Sequence, residues 1–241
     1  MPPLGGGMEI SMKKLLEGKS KILYEDGNSI IMKYKGDVRC SNQKVVYSDL
    51  VAKERVRFTY QLFKLLHDNL NGILMPEIVD ESSLKMKKVM PIPLEWIPRY
   101  VAAGSVVKRF GFKEGKKFND MVLKIDYKTD LEDYLITDQL IVEKGILSEE
   151  ELFAAKVLCK QVAECIQKHC IERQLEIWDF KMELGRDSDG QIVLIDEISL
   201  DGMRLKDMKT KKDYDKDVYR KTGDIEKLIQ VYREGYNRLF I

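Results

Sequence analysis

The spacing of apolar residues changes several times along the chain. Residues 20–24 and 29–34 are short β-prone runs joined through Glu25-Asp26-Gly27-Asn28, a hairpin signal. Across 51–70 the apolar positions shift to Val56, Tyr60, Phe63 and Leu66/Leu70, a helical period punctuated by Asn69, Asn71 and Gly72. Residues 78–79 and 84–90 return to strand character and lead into Pro91-Ile92-Pro93. The spacing predicts the longest helix over 149–173, with a stripe of Leu152, Ala155, Leu158/Cys159, Val162 and Cys165/Ile166. Ser148 and Glu151 have the spacing of a capping box at its start. A closing helix is predicted over 225–240. Strands dominate the first 95 residues, and helices alternate with hairpins afterwards. That order predicts an α+β protein with a small β-rich N-terminal lobe over a larger one. Ligand sites are common in such inter-lobe clefts.

The most informative stretch is 178–185 with its continuation 196–204. Two apolar strands flank Asp187-Ser188-Asp189-Gly190, a second hairpin signal. Period-2 geometry puts Asp179, Lys181 and Glu183 on one face, and Phe180, Met182 and Leu184 on the other. The returning strand, Ile192 to Ile195, ends in Asp196-Glu197. One hairpin thus gathers carboxylates and a lysine beside an apolar body. Such hard oxygen donors suit Mg²⁺, which takes one or two carboxylates plus substrate phosphates. An edge hairpin with a solvated acidic face would give the same pattern. The hairpin alone suggests a magnesium-nucleotide site without naming a reaction.

Composition narrows the classes. At 241 residues and 28.0 kDa the chain can bury one large core or two modest lobes. Lys plus Arg is 41 against 40 for Asp plus Glu, a formal net charge of +1, so no basic excess argues for nucleic acid. No apolar run approaches the roughly 20 residues of a membrane span. Residues 1–7 carry neither the charged nor the apolar part of a signal peptide and read as a flexible leader. Residues 1–12 are therefore set apart from the fold, with a start expected at Met8 or Met12. Cys40, Cys159, Cys165 and Cys170 match no zinc spacing and form no CxxC, so reduced, partly buried thiols in a cytoplasmic protein are expected.

Two further segments have phosphate-binding chemistry. In Glu17-Gly18-Lys19-Ser20-Lys21 a glycine beside alternating lysines lets backbone approach a phosphate while ammonium groups neutralise it. An edge strand with solvated lysines is the plainer reading. Between Pro93 and Arg109, Ala102-Ala103-Gly104-Ser105 is a small-residue turn with Ser105 placed like a helix N-cap. Arg99, Lys108 and Arg109 add the charge a phosphate monoester needs, although a capped helix with a basic surface turn would look alike.

Taken together these segments resemble the SAICAR synthetase family of purine biosynthesis. The family's Glu-Gly-Lys-Ala-Lys opening is similar to residues 17–21, and its Pro-Leu-Glu…Arg…Ala-Gly-Ser-x-x-Lys-Arg run to 93–109. Its Asp-Phe-Lys-Leu-Glu-Phe-Gly is similar to 179–185, and its Asp-Glu-Ile-Ser-Pro-Asp…Arg…Asp to 196–207. The motifs occur in the family's order from about Leu15 to the C-terminal helix. The chain departs from the pattern at Leu200 for proline and Lys206 for tryptophan. It also departs at Tyr100 for asparagine, and at Arg39-Cys40-Ser41-Asn42-Gln43-Lys44 for Thr-Ala-x-Asn-Gly-x-Lys.

The resemblance implies a two-lobed, kinase-like α+β fold with ATP between an ATP-binding lobe (13–91) and a substrate- and metal-binding lobe (92–241). It implies an ATP-dependent ligase that joins L-aspartate to carboxyaminoimidazole ribonucleotide through an acyl phosphate. Glu183 and Asp196 would hold Mg²⁺, and Asp179 with Lys181 would act at the reacting carboxylate. Lys19 and Lys21 would face the ATP phosphates, and Lys88 to Pro91, including Met90, would form the hinge against adenine. Arg99, Ser105 and Arg204 would hold the ribonucleotide phosphate, with Asp133, Arg220 and Asp37 as candidates for binding aspartate. The expected partners are these small molecules, without nucleic acid or membrane, and a homodimer is left open. Two alternatives stand beside it. One is an inositol-phosphate-kinase-like phosphotransferase, against which residues 103–105 argue. The other is an ATP-sensing module without catalysis, against which the intact Asp179, Lys181, Glu183 and Asp196 argue.

Overall fold

The computed structural model describes residues 13–40, 44–129 and 132–241. The chain opens with β1 (Lys13–Glu17), β2 (Lys21–Asp26) and β3 (Ser29–Tyr34), then a short pair, β4 (Asp37–Val38) and β5 (Val46–Tyr47). Helix α1 (Asp49–Asn69) precedes β6 (Glu77–Asp80) and β7 (Ser83–Lys87). Next come β8 (Met90–Val101), α2 (Ser105–Phe110), β9 (Lys117–Tyr127) and β10 (Tyr134–Leu135). Helices α3 (Asp138–Glu143) and α4 (Glu149–Glu172) lead to β11 (Leu175–Phe180), β12 (Met182–Arg186), β13 (Ile192–Ile195) and β14 (Met203–Asp207). Helices α5 (Asp217–Thr222) and α6 (Ile225–Phe240) close the chain.

Among the described residues, β1-β2-β3-β7-β6 form an antiparallel five-stranded sheet. The expected hairpin through Asp26 is its centre, with Asp26 opposite Ser29. The second sheet runs β10-β9-β8-β11-β14, and β12 adds to β8 while pairing with β13. This is the expected α+β architecture. Helix α1 packs on β3 and β7 and also on α4 and α6, so it buries more of its circumference than a single stripe. Phe58 on α1 meets Phe240 on α6 edge to face, with ring centroids 5.4 Å apart.

Helix α4 begins with the expected capping box: Ser148 Oγ accepts from Glu151 N–H, and Glu151 Oε2 accepts from Ser148 N–H. Its buried face, including Leu152, Ala155, Cys159, Val162 and Ile166, covers β11 and β13. The four cysteines are free, and burial pushes the Cys170 thiol up to about 12, far from a reactive thiolate. No helix among the described residues is long and apolar enough to cross a membrane.

Two expectations change here. The run 178–184 is not one strand. It breaks at Lys181, whose N–H donates to Gly202 O at 2.9 Å, so β11 pairs with β14 while β12 pairs with β13. Ser105 is not the N-cap of α2. Gly104 takes that position at φ +58°, and Ser105 is the first helical residue.

Candidate active site

A cavity of about 680 Å³ opens between the sheets. Its apolar end is lined by Leu23, Ile30, Met32, Met86 and Val89, and from the other side by Leu194 and Ile195 on β13. Its polar end gathers Lys19, Lys21, Glu95, Lys128, Asp133, Lys181, Glu183, Asp196 and Glu197. An apolar slot opening onto fixed charges suits a ligand with a flat base and a phosphate tail.

The charges form a connected set. Lys21 on β2 crosses to the second sheet, with Nζ 2.5 Å from Asp196 Oδ1 and 3.4 Å from Glu197 Oε1. Lys181 lies 2.8 Å from Glu95 and 3.6 Å from Glu183, and Lys128 lies 2.7 Å from Glu183. Strand register explains the grouping: Glu183 on β12 faces Glu95 on β8 and Ile195 on β13, next to Asp196. Burial opposes the charge on Lys181, but Glu95 and Glu183 outweigh it and raise its pKa, so it stays an ammonium. Burial likewise disfavours ionised Asp196, but Lys21 overcomes this and holds its pKa below the usual carboxylate range.

The donor set fits a hard divalent ion. Glu183 and Asp196 present carboxylates to one cavity, and Glu197 Oε2 is buried there with no hydrogen-bond partner. No group of three or more acidic, histidine or cysteine side chains placed to hold a metal occurs among the described residues. Substrate oxygens would therefore have to complete the coordination shell.

A smaller cavity of about 220 Å³ adjoins the first and shares Lys19, Lys181 and Glu197 with it. Asp37, Arg39, Arg55, Asp201 and Lys216 also line it. Arg55, with a side chain 1% exposed, bonds Asp201 Oδ2 through Nε at 2.5 Å and donates to the carbonyls of Lys35 and Asp37 at 2.5 and 2.8 Å. This one guanidinium ties α1 and the chain around Asp37 to the loop after β13. Burial would raise the Asp201 carboxyl, but Arg55 and Lys216 outweigh it and bring it down to about 2.

Beside these cavities lies an arginine cluster built by strand pairing. Asp179 on β11 sits opposite Arg99 on β8 and Arg204 on β14. Arg204 Nη1 bonds both Asp179 oxygens at 2.9 Å, and Arg99 Nη1 bonds Asp179 and Ala103 O. Arg204 Nε lies 3.3 Å from Asp217, which also pairs with Arg220.

The structure thus distributes the expected site residues unevenly. Lys19, Lys21, Asp133, Lys181, Glu183 and Asp196 share the large cavity, and Asp37 lines the smaller one. Asp179 lines neither cavity; it is 3% exposed and held between arginines, apart from Lys181. Arg99 is equally buried, whereas Arg204 keeps a side-chain exposure of 20% near Gly104 and Ser105. Lys88 turns outward to Glu25 and Met90 is 64% exposed, so between them only the Val89 side chain enters the cavity. Asp133 and Arg220 fall in different places, one in the large cavity and one beyond Asp217. The departure at Gln43 lies outside the described residues.

The sequence reading assigned no role to Glu95, Lys128, Glu197, Arg55, Asp201, Lys216 or Asp217. Glu95, Glu197 and Asp201 stand inside the quoted motifs, so the motifs themselves carried a signal for them.

The family model for SAICAR synthetase matches residues 14–239. The chain belongs to the SAICAR synthetase family. A phosphoribosylaminoimidazole-succinocarboxamide synthase of Finegoldia magna is 34% identical over 232 residues, covering 95% of this chain and 99% of the relative. One of Oceanobacillus iheyensis is 36% identical, covering 93% and 96%. Among solved structures, the synthase of Ehrlichia chaffeensis superposes with a TM-score of 0.85 at 29% identity, covering 94% of this chain and 98% of that one. A SAICAR synthetase in complex with ADP gives 0.84 at 33% identity, covering 93% and 97%. The overall fold is that of these SAICAR synthetase structures.

Proposed function

We propose that the chain is the ATP-dependent ligase that joins L-aspartate to carboxyaminoimidazole ribonucleotide, releasing SAICAR, ADP and phosphate. The observation that carries this reading is the Lys21–Asp196 bridge, which joins the two sheets across a partly apolar cavity that Glu183 also lines. The ADP-bound relative supports nucleotide in that slot. Val89 and the β2, β3 and β7 side chains would enclose the base, and Lys19 and Lys21 would meet the phosphates.

Glu183 and Asp196 would hold Mg²⁺, which would neutralise charge on the transferring phosphoryl group. The ribonucleotide's carboxylate is a poor acylating agent, so it takes the γ-phosphoryl group and becomes an acyl phosphate. The aspartate amine then attacks the acyl carbon and phosphate leaves. Lys181, held as an ammonium between the two cavities, would draw the carboxylate toward the phosphoryl group. Arg204 and Ser105 would anchor the ribonucleotide's phosphate ester, since arginine's fork matches that geometry. Asp179 would hold Arg99 and Arg204 in place. The smaller cavity, with Asp37, Arg39 and Lys216, has the mixed charges that an amino acid zwitterion needs.

The test is ADP release with ribonucleotide and aspartate supplied separately and together. The ligase reading expects sustained release only with both. Sustained release with an alcohol acceptor alone would indicate a phosphotransferase, and no release under any condition would indicate a nucleotide-binding module.

A further inference from the structure

We propose that Asp215 is the positioning residue of the arginine anchor: buried behind Arg204, it ties β14 to α5 and thereby sets Asp217 against Arg204. This rests on the reading that Arg204 grips the ribonucleotide's phosphate ester. Asp215 has 0% exposure, and both of its oxygens are committed to backbone. Oδ2 accepts from Leu205 N–H at 2.7 Å, the residue after Arg204, and Oδ1 accepts from Asp217 N–H at 2.7 Å, the first residue of α5. The residue that caps α5 by position, Lys216, contributes no side-chain cap. One carboxyl group therefore fixes a residue from each element.

The consequence lies on the outer side of the same two elements. Arg204 Nε meets Asp217 Oδ2 at 3.3 Å, Arg204 Nη1 meets both Asp179 oxygens, and Arg220 pairs with Asp217. An arginine pinned at Nε and Nη1 offers its remaining N–H groups in one orientation, which lowers the entropy lost on binding a phosphate. Tyr214 N–H donating to Leu205 O at 2.8 Å holds the intervening loop to β14 but reaches nothing on α5. Asp215 makes that connection through the backbone of both elements, while Asp213 adds only a side-chain link between Lys206 on β14 and Lys221 on α5. The placement is unfavourable in itself: burial and the neighbouring Asp217 push its carboxyl up to about 7, and the backbone donors and Lys206 only partly oppose this. A carboxyl buried there at that cost is better explained by what it orients than by stability.

The experiment compares steady-state constants for Asp215→Asn, Asp217→Asn, Arg204→Lys and the double variant Asp215→Asn/Arg204→Lys in the full chain. Asparagine keeps the shape but replaces one acceptor with an NH₂ group that opposes a backbone N–H. Asp215→Asn and Asp217→Asn should each raise the ribonucleotide KM about tenfold while the ATP KM stays within about twofold. The double variant should be no worse than Arg204→Lys by more than about twofold, because both act through one guanidinium. Asp217→Asn, on a partly exposed side chain, decides the matter if Asp215→Asn melts below the assay temperature. An unchanged ribonucleotide KM in Asp217→Asn, or equal rises in both KM values for Asp215→Asn, overturns the proposal. If Arg204→Lys itself leaves the ribonucleotide KM unchanged, the anchor reading fails instead.

Discussion

Arg204 lies against the bare Cα of Gly104. A Cβ on Gly104 would come within 2.7 Å of Arg204 Nη2 and 3.3 Å of its Cζ, and φ is +58°, where an L side chain is strained. Glycine here lets the guanidinium reach the start of α2. Gly104→Ala should therefore displace Arg204 and strain the turn by about 1–3 kcal/mol. The expected result is a lower melting temperature with a ribonucleotide KM raised well beyond any change for ATP. Unchanged ribonucleotide binding in a folded variant would remove the Gly104–Arg204 contact from the anchor.

Gly185 plays a comparable part beside the apolar lining of the large cavity. Its Cβ would stand 2.8 Å from Val89 Cγ2, 2.9 Å from Met90 O and 3.3 Å from Ile195 Cδ1. Because Met90 O is backbone, Gly185→Ala must push the 88–90 segment outward or press Val89 and Ile195 into the cavity they line. Either movement spoils the slot for a base. Steady-state kinetics should show a raised ATP KM with little change for the ribonucleotide, and the reverse split would place the base elsewhere.

Glu183→Gln keeps the shape of the side chain and removes its charge. The loss of a carboxylate ligand should lower turnover about 100-fold and move the Mg²⁺ titration to higher concentration. The melting temperature should change little. Near-normal activity at limiting Mg²⁺ would take Glu183 out of the metal site.

Asp201 predicts an acid-side stability limb. Its folded pKa is about 2, below an ordinary value near 3.9, so the unfolded chain takes up a proton first as pH falls. Depression of the folded pKa stabilises the protein above about pH 4, and that contribution is lost between about pH 4 and 2, about 3 kcal/mol in all. Asp201→Asn should lose the corresponding part of the melting temperature's pH dependence. It should also cost about 3–5 kcal/mol at neutral pH, because Arg55 is left buried without its paired carboxylate. Parallel pH curves for the two proteins would show that the carboxylate is not depressed.

Helix α4 was legible in the sequence because cap and period agree, and the two hairpins because an acidic-glycine turn sits between apolar runs. Strand β8 was not. It carries Pro91, Pro93 and Pro98 within 12 residues, a pattern that argues against a central strand, yet it pairs with β9, β11 and β12 along its length. Strand β9 was hidden in another way: Lys124 and Asp126 look like surface residues and instead form a buried ion pair. Without these strands, Glu95 and Lys128 had no visible neighbours. The Arg55–Asp201 pair spans 146 residues of sequence, and no local spacing encodes such a contact. The motifs conveyed which carboxylates and lysines matter. The fold separated Asp179, bound to arginines, from Lys181 in the cleft.

In the proposed reaction the ribonucleotide's carboxylate is activated by phosphorylation before aspartate attacks. The direct measurement supplies ribonucleotide labelled with ¹⁸O in that carboxylate, together with ATP, Mg²⁺ and aspartate, and determines the mass of the released inorganic phosphate. An acyl phosphate keeps one carboxylate oxygen as its bridge, and displacement by the amine must carry that atom away on phosphorus. The account predicts one ¹⁸O in each phosphate formed alongside SAICAR. SAICAR formation with unlabelled phosphate would contradict it.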